Sequence, residues 1–177
     1  MTTVPRNILV TGPPGIGKTT FLRKLWQQLQ PCVAAGFYTE EIREKGIRRG
    51  FALLGLDGYR SVLAHDSLRS KHKVGKYRVD VEGFEEFLDT IDLKHRDIEI
   101  VLIDEIGKME CMSEKFVTLL TSVLNSEKLL VATIAHKGTG PIAAVKERDD
   151  VLIFTLNRDN RIKLLPELVK LLLSQST

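Results

Sequence analysis

A glycine-rich stretch that ends in a lysine and a threonine lies near the start of the chain. It consists of Gly12, Pro13, Pro14, Gly15, Ile16, Gly17, Lys18 and Thr19, and it fits the phosphate-loop pattern of a glycine, four residues, then Gly-Lys-Ser/Thr. In this pattern the lysine reaches the β and γ phosphates, and the hydroxyl binds Mg²⁺. Proline has no amide hydrogen, so the amides from Gly15 to Thr19 must form the phosphate cradle. The stretch predicts a triphosphate site in which Lys18 is catalytic and Thr19 is a magnesium ligand.

A second stretch places two acids at the end of an apolar segment. The segment begins at Ile98 and is rich in isoleucine, valine and leucine, and Asp104 and Glu105 follow it. If it forms a strand parallel to the one before the phosphate loop, Asp104 lies beside that loop and can hold Mg²⁺ through a water. Glu105 would then face the γ phosphate and activate the attacking water as a general base.

The elements that must position these residues can be read from the pattern of apolar residues. Short apolar runs at 7–11, 32–37, 98–105, 129–134 and 151–155 predict strands, and the first run leads directly into the glycine-rich stretch. Apolar residues at helical spacing predict helices after Lys18, over 81–93 with Asp80 as N-cap, after Ser113, and over 142–148. This alternation predicts an α/β fold with a mainly parallel sheet and helices on both faces.

Residues 36–80, which we call the flap, interrupt this alternation. Glycines near residues 46 and 58 separate segments that predict an antiparallel β-hairpin and a third strand, inserted into the α/β chain. The flap contains ten Lys or Arg residues against six Asp or Glu residues. A basic flap could hold a polyanionic substrate or place an arginine against the transition state, whereas a solvated surface would explain the same charges.

Several further residues have alternative interpretations. Thr133 ends the strand predicted at 129–134, where it is either a γ-phosphate sensor or an ordinary strand residue. Four basic residues are candidates for the cation that stabilises the transition state, namely Arg48, Arg49, Lys137 and Arg161. The segment 157–160 is similar to the guanine-reading motif of GTPases but ends in Asn instead of Asp, so it does not specify guanine. The final helix follows, capped by Asp159 or Asn160 and kinked or restarted at Pro166.

Length and composition are those of a globular domain. The 177 residues predict one domain, and the formal net charge of +3 does not by itself indicate nucleic acid or membrane as a partner. No apolar run approaches the roughly 20 residues of a membrane span, and the polar first residues do not resemble a signal peptide. Cys32 and Cys111 are predicted to be free thiols in a reducing compartment. We therefore expect a cytoplasmic protein and a monomer.

With these residues in view, the chain resembles a family of small nucleoside-triphosphatases of the thermophile and human cancer-related type. The similarity rests on segments spread over nearly the whole chain: 12–20, 36–41, 48–51, 74–80, 104–110, 160–161 and 165–166. It implies a three-layer RecA-like P-loop fold and Mg²⁺-dependent hydrolysis of several nucleoside triphosphates, ATP and GTP included, to diphosphate and phosphate. It also implies that a second stretch contacts the nucleotide, formed by Val101, Leu102, Ile103, Asp104, Glu105, Ile106, Gly107 and Lys108.

Two other functions use the same motifs. A nucleotide or small-molecule kinase would share the phosphate loop but would need an acceptor pocket and a lid, for which the flap is the candidate. An RNA-associated switch driven by nucleoside triphosphate would use the basic residues of the flap. Hydrolysis is the leading hypothesis, because Glu105 supplies a water-activating group that a kinase does not need.

Overall fold

The computed structural model describes residues 5–30 and 32–175. These residues form nine strands: β1 (Asn7–Thr11), β2 (Ala34–Glu44), β3 (Ile47–Gly55), β4 (Arg60–His65), β5 (Lys73–Val74), β6 (Tyr77–Val79), β7 (Ile100–Ile106), β8 (Leu129–Ile134) and β9 (Val151–Thr155). They also form five α-helices, α1 (Lys18–Gln28), α2 (Val81–Asp89), α3 (Glu114–Leu124), α4 (Pro141–Lys146) and α5 (Arg161–Leu173), and a short 3₁₀-helix (Glu110–Met112). The predicted strands at 7–11, 129–134 and 151–155 are confirmed residue for residue.

All nine strands belong to one sheet, in the order β5-β6-β4-β3-β2-β7-β8-β1-β9. The five strands from β2 to β9 in this order are parallel, and the flap strands add to β2 in antiparallel fashion. Parallel strands end at the same edge of a sheet, so the segments that follow β1, β7 and β8 emerge side by side. Strand β8 separates β1 from β7.

Helices cover both faces of the sheet, as the alternation of residues within each strand requires. In β1, Ile8 and Val10 point to a core formed with α1 and α5. Leu9 points to the opposite core, which includes residues of α2, α3 and α4. The predicted α/β class, with a largely parallel sheet between two layers of helices, is confirmed.

The flap forms the predicted antiparallel β-hairpin, made by β2 and β3, and the predicted third strand, β4, and all three belong to the central sheet. The strand predicted at 32–37 begins at Ala34 and runs on to Glu44, so one strand pairs with β7 on its first half and with β3 on its second. The hairpin was predicted, but its continuity with the strand at 32–37 was not, because residues 39–41 are polar and do not show the apolar pattern of a buried strand. Gly36 permits the close approach of β2 to β7, since a Cβ atom at this position would lie 1.8 Å from the Leu102 carbonyl oxygen.

Other element boundaries differ from the predicted ones. Helix α2 begins where expected, with the Asp80 side chain accepting a hydrogen bond from the Gly83 amide at 2.9 Å, but it ends at Asp89 instead of residue 93. Strand β7 is shifted by one to two residues, and α4 is Pro141–Lys146 instead of 142–148. Strands β5 and β6 form a hairpin that was not predicted.

Helix α5 continues through Pro166, so the alternative that the helix begins afresh at this proline is wrong. Leu164, Leu168 and Leu172 are buried at helical spacing on either side of the proline. Their packing against the sheet outweighs the missing amide, because tertiary contacts override local preference. The Asn160 side chain does not cap this helix. It donates instead to the Thr155 carbonyl.

Two predictions from composition can be compared with the described residues. Cys32 and Cys111 are free thiols, as expected, and burial raises the pKa of the Cys111 thiol to about 12. Among residues 5–30 and 32–175, no helix has both the length and the apolar character needed to cross a bilayer.

Candidate functional site

The phosphate loop connects the end of β1 to the start of α1. Gly17 precedes the helix with a φ of 98°, a left-handed conformation that favours glycine, and no side chain caps the helix. The first amides of α1 therefore lack side-chain partners and carry the partial positive charge of a helix N-terminus. Such an end is a ready anion site.

Lys18 links the phosphate loop to the end of β7. Its Nζ atom donates a hydrogen bond to the Gly12 carbonyl at 3.1 Å and lies 3.8 Å from Glu105 Oε2. The Lys18 side chain is only 11% exposed, so this position is defined by the surrounding loop. The sequence predicted that the two stretches meet at one place, and the described structure brings Lys18 and Glu105 into contact there.

Asp104 is buried and held by hydrogen bonds instead of an ion pair. Its Oδ2 atom accepts from the Thr19 hydroxyl at 2.7 Å, and from the Thr39 hydroxyl and amide at 3.0 and 3.2 Å. Its Oδ1 atom accepts from the Thr133 hydroxyl at 2.5 Å. Thr133 is fully buried, so it supports Asp104 and does not line the cavity. Thr39 was not predicted as a site residue, although it lies in one of the segments that carry the family resemblance.

The oxygen atoms of Thr19 and Asp104 suit Mg²⁺. This ion prefers oxygen ligands and usually takes one or two protein side chains, with phosphate oxygens and waters completing its shell. The described residues contain no cluster of three or more His, Cys, Asp or Glu side chains that would bind a metal without substrate. A hydroxyl and a carboxylate in contact therefore fit a magnesium ion that arrives with a triphosphate.

Two further carboxyl groups lie on either side of Gly107. Glu105 Oε1 and Glu110 Oε2 are each 2.9 Å from the position that a Cβ atom on Gly107 would occupy. Burial raises the pKa of Glu105, and Asp104 adds to this effect, whereas Lys18 opposes it. Burial, with the Glu105 charge, raises the pKa of Glu110 to about 8. At neutral pH Glu110 is therefore mostly protonated, a property that the sequence did not reveal.

A cavity of about 1030 Å³ lies over this site. Of the predicted nucleotide-binding residues, it is lined by Gly12, Pro14, Gly15, Gly17, Lys18, Thr19, Glu105 and Lys108. The predicted residues that do not line it are Pro13, Ile16, Val101, Leu102, Ile103, Asp104, Ile106 and Gly107. Val101, Leu102 and Ile103 pack into the two cores as part of β7, so their side chains do not reach a ligand in the cavity.

The four candidate cations are in different environments. Arg48 and Lys137 line the cavity, whereas Arg49 forms ion pairs with Asp66 and Glu44 at 3.1 and 3.4 Å. Arg161 begins α5 and does not line the cavity. Lys137 has no hydrogen bond or ion pair from its side chain to any of the described residues.

A hydrogen bond from α4 stabilises the loop that carries Lys137. The Lys146 ammonium donates to the His136 carbonyl at 2.8 Å. This contact positions Lys137 at the cavity wall and leaves its charge available to a ligand.

Comparison with known proteins identifies relatives over most of the chain. A family model described as NTPase matches residues 7–169. The nucleoside-triphosphatase THEP1 of Thermotoga sp. (strain RQ2) is 44% identical over 166 residues, which cover 93% of this chain and 94% of the relative. The human cancer-related nucleoside-triphosphatase is 35% identical, with 93% and 95% covered.

Two solved structures share the fold. The crystal structure of THEP1 from Aquifex aeolicus superimposes with a TM-score of 0.83 at 32% identity, covering 94% of this chain and 98% of that one. The solution structure of a human cancer-related nucleoside triphosphatase gives a TM-score of 0.77 at 35% identity, covering 96% and 98%.

Proposed function

This chain belongs to the NTPase family and is a nucleoside-triphosphatase, and we propose that it hydrolyses nucleoside 5′-triphosphates to diphosphate and phosphate with Mg²⁺ and little base preference. One observation carries the proposal. Lys18 contacts Glu105 at 3.8 Å while the neighbouring Thr19 contacts Asp104 at 2.7 Å, so the loop and the two acids converge as a triphosphate site requires.

Each side chain has a role that follows from its position. The loop amides and Lys18 bind the phosphates, and Thr19 and Asp104 supply the oxygen atoms for Mg²⁺. When bound, Mg²⁺ neutralises charge on the β and γ phosphates. Glu105 lines the cavity and accepts a proton from the attacking water, whose oxygen forms a bond to the γ phosphorus as the bond to the bridging oxygen breaks. Lys137 is the cation best placed to stabilise the transition state.

The hydrogen bonds made by segment 157–160, which is similar to the guanine-reading motif, support the proposal of little base preference. The Asn157 side-chain oxygen accepts from the amides of Asp159 and Asn160, both at 2.9 Å. The Asn160 side chain accepts from the Asn157 amide at 2.9 Å and donates to the Thr155 carbonyl at 2.8 Å. These polar groups stabilise their own turn, so they are not available to read a base.

The flap offers less support for nucleic acid than its composition suggests. Four of its arginines, Arg43, Arg48, Arg49 and Arg60, form ion pairs with acidic residues of the same flap at 2.6 to 3.4 Å. Because these charges are already neutralised, we propose an enzyme that needs no RNA for turnover, and we propose separately that it is a monomer.

Glu105→Gln is the variant that tests the mechanism. We expect turnover to fall by roughly a hundredfold or more, the scale of a lost general base, with triphosphate binding retained. Phosphate release from ATP and GTP would be measured with and without Mg²⁺, and omission of Mg²⁺ should remove the activity. Glu127→Gln is the control, because the Glu127 side chain is 95% exposed and remote from the loop. Unchanged turnover in Glu105→Gln would exclude Glu105 from the mechanism.

Lys18→Ala tests the phosphate site itself. Lys18 would contact phosphates in both the ground state and the transition state, so affinity and turnover should fall together. Isothermal titration with a non-hydrolysable ATP analogue and the phosphate-release assay measure the two effects. A variant that binds the analogue as the wild type does would contradict the assignment.

A further inference from the structure

The cavity extends beyond the phosphate loop into a recess that hydrolysis does not require. We call the part of the cavity that is lined by the apolar residues Phe51, Leu63, Val74 and Met109, together with Arg48 and Glu110, the flap recess. Pockets that hold one drug-sized ligand measure about 300 to 1,000 Å³, and the whole cavity, at about 1030 Å³, lies at the upper limit. The flap recess is the part of this cavity that is lined mainly by residues of the flap.

The order of the strands fixes where the flap recess lies relative to the phosphates. The loop follows β1, the flap extends from β2, and β7 lies between them in the sheet. Glu105, near the end of β7, lines the cavity between the strand that precedes the loop and the strand from which the flap extends. Because Lys18 reaches the terminal phosphates and also contacts Glu105, a molecule in the flap recess would face the γ phosphate and not the nucleoside.

The charges around the flap recess are balanced before any ligand binds. Glu41 accepts from Arg48 at 2.8 Å and lies 2.6 Å from Arg43, and the hydrogen bond from Arg48 lowers the pKa of Glu41. Glu40 is paired with Arg23 and Arg60 at 3.2 and 3.4 Å. The buried Glu110 is mostly protonated at neutral pH. Because Glu40 and Glu41 are paired and Glu110 is mostly neutral, these three groups offer a charged ligand little, and an uncharged molecule suits the part of the cavity that they line.

The apolar wall contains an aromatic ring with a cation above it. The Phe51 ring packs edge-on against Tyr77 with centroids 5.2 Å apart, and the Arg48 guanidinium lies 5.3 Å from the Phe51 centroid. A flat, uncharged body suits such a wall, since bases stack on aromatic rings and on guanidinium planes. Protonated Glu110 and the carboxylates of Glu40 and Glu41 can hydrogen-bond hydroxyl groups. A nucleoside combines these features.

We propose that the flap recess binds a nucleoside and that the enzyme can transfer the terminal phosphoryl group of a nucleoside triphosphate to its hydroxyl. The inference rests on the proposed triphosphate site, but it adds a second substrate and a second product. The acceptor oxygen forms a bond to the γ phosphorus, and the bond between that phosphorus and the β,γ-bridging oxygen breaks. The bridging oxygen leaves on the nucleoside diphosphate, and the hydroxyl proton passes to Glu105. The products are a nucleoside diphosphate and a nucleoside monophosphate.

A pair of matched ligands tests the second site. Diadenosine pentaphosphate carries a nucleoside at each end, whereas adenosine 5′-pentaphosphate has the same phosphates and lacks the second nucleoside. In isothermal titration of the full chain with Mg²⁺, we expect the first to bind at least about fivefold more tightly, the lower end of what a stacked base contributes. Equal affinities would overturn the proposed site.

Substitutions in the flap recess test whether the higher affinity for diadenosine pentaphosphate arises there. Phe51→Ala removes the stacking ring, and Val74→Glu puts a carboxylate into the flap recess if Phe51→Ala fails to fold. In both, the ratio of the two affinities should fall towards one. Val62→Glu is the matched control, because Val62 is exposed on the strand that carries Leu63 and lies outside the cavity wall. A ratio that falls equally in the control would contradict the location.

Transfer is tested with ATP labelled at the γ phosphate. With millimolar adenosine, cytidine, guanosine or uridine, we expect labelled nucleoside monophosphate and a matching decrease in labelled phosphate. Label found only in inorganic phosphate at saturating nucleoside would overturn the transfer. Preferential labelling of added nucleoside monophosphates would overturn the charge argument. Reactions without acceptor report hydrolysis separately, so failure of the proposed hydrolysis is distinguishable from failure of transfer.

Discussion

Replacing Thr133 by valine should destabilise the protein more than the same change at a similar site with a neutral acceptor. Thr133 is fully buried at the end of β8, and its hydroxyl donates to the Asp104 carboxylate at 2.5 Å. Hydrogen bonds to charged groups contribute about 1.5 to 3 kcal/mol, and removal of one leaves a buried carboxylate short of a donor. We therefore expect Thr133→Val to lower the free energy of unfolding by about 1.5 to 3 kcal/mol.

Thr11→Val is the matched control. Thr11 is 5% exposed at the end of β1, the strand beside β8, and its hydroxyl donates to the Ile134 carbonyl at 3.0 Å. Because the acceptor is neutral, we expect a loss of about 0.5 to 1.5 kcal/mol. Both values can be measured by urea denaturation, where a shift in midpoint without a change in slope reports stability.

A second substitution measures how much of the cost of Thr133→Val comes from the negative charge of Asp104. In an Asp104→Asn background the charge is absent, so Thr133→Val should cost about as much as Thr11→Val does in the wild type. Equal costs for the two threonines in the wild type, or a cost at Thr133 that Asp104→Asn leaves unchanged, would refute the argument that hydrogen bonds to Asp104 stabilise its buried charge.

Two further predictions concern Glu110 and Lys137. The pKa of Glu110 rises from about 4.5 unfolded to about 8 folded, so between these values the folded state holds the extra proton and stability should fall as pH increases. Glu110→Gln should flatten this decline in denaturation curves at pH 5 to 8, and an equally steep decline would contradict the assignment. Lys137→Ala should reduce turnover by roughly a hundredfold or more, the scale of a lost transition-state charge contact, whereas the ion-paired Arg49→Ala should not. Single-turnover phosphate release distinguishes the two variants.

The central part of the site could be predicted because it depends on topology and little else. A phosphate loop needs a strand before it and a helix after it, and parallel strands end at one edge of the sheet. Once the runs at 7–11 and 98–105 are identified as parallel strands, the convergence of Lys18 and Asp104 follows without knowledge of side-chain packing. The confirmed strands at 129–134 and 151–155 follow from the same apolar pattern.

The supporting residues could not be predicted because they depend on register and burial. Thr39 contacts a carboxylate 65 residues away, and this contact requires β2 to continue past Phe37, which pairs with Ile103. No local pattern marks that continuation. Glu110 follows a Gly-Lys-Met segment and resembles a surface residue in the sequence. Only the 3₁₀-helix after β7 turns it back against Glu105, where burial changes its protonation.

The pairing of Lys18 with Glu105 has a consequence for catalysis. Without substrate, Lys18 has the Gly12 carbonyl and the Glu105 carboxylate as partners. A triphosphate competes for the same ammonium, so its binding should draw Lys18 away from Glu105 and leave that carboxylate able to accept a proton. If this competition operates, Glu105→Gln should bind a non-hydrolysable ATP analogue at least as tightly as the wild type, because the analogue no longer displaces an ion pair. Markedly weaker binding in titration would instead place Glu105 among the groups that hold the ground-state substrate.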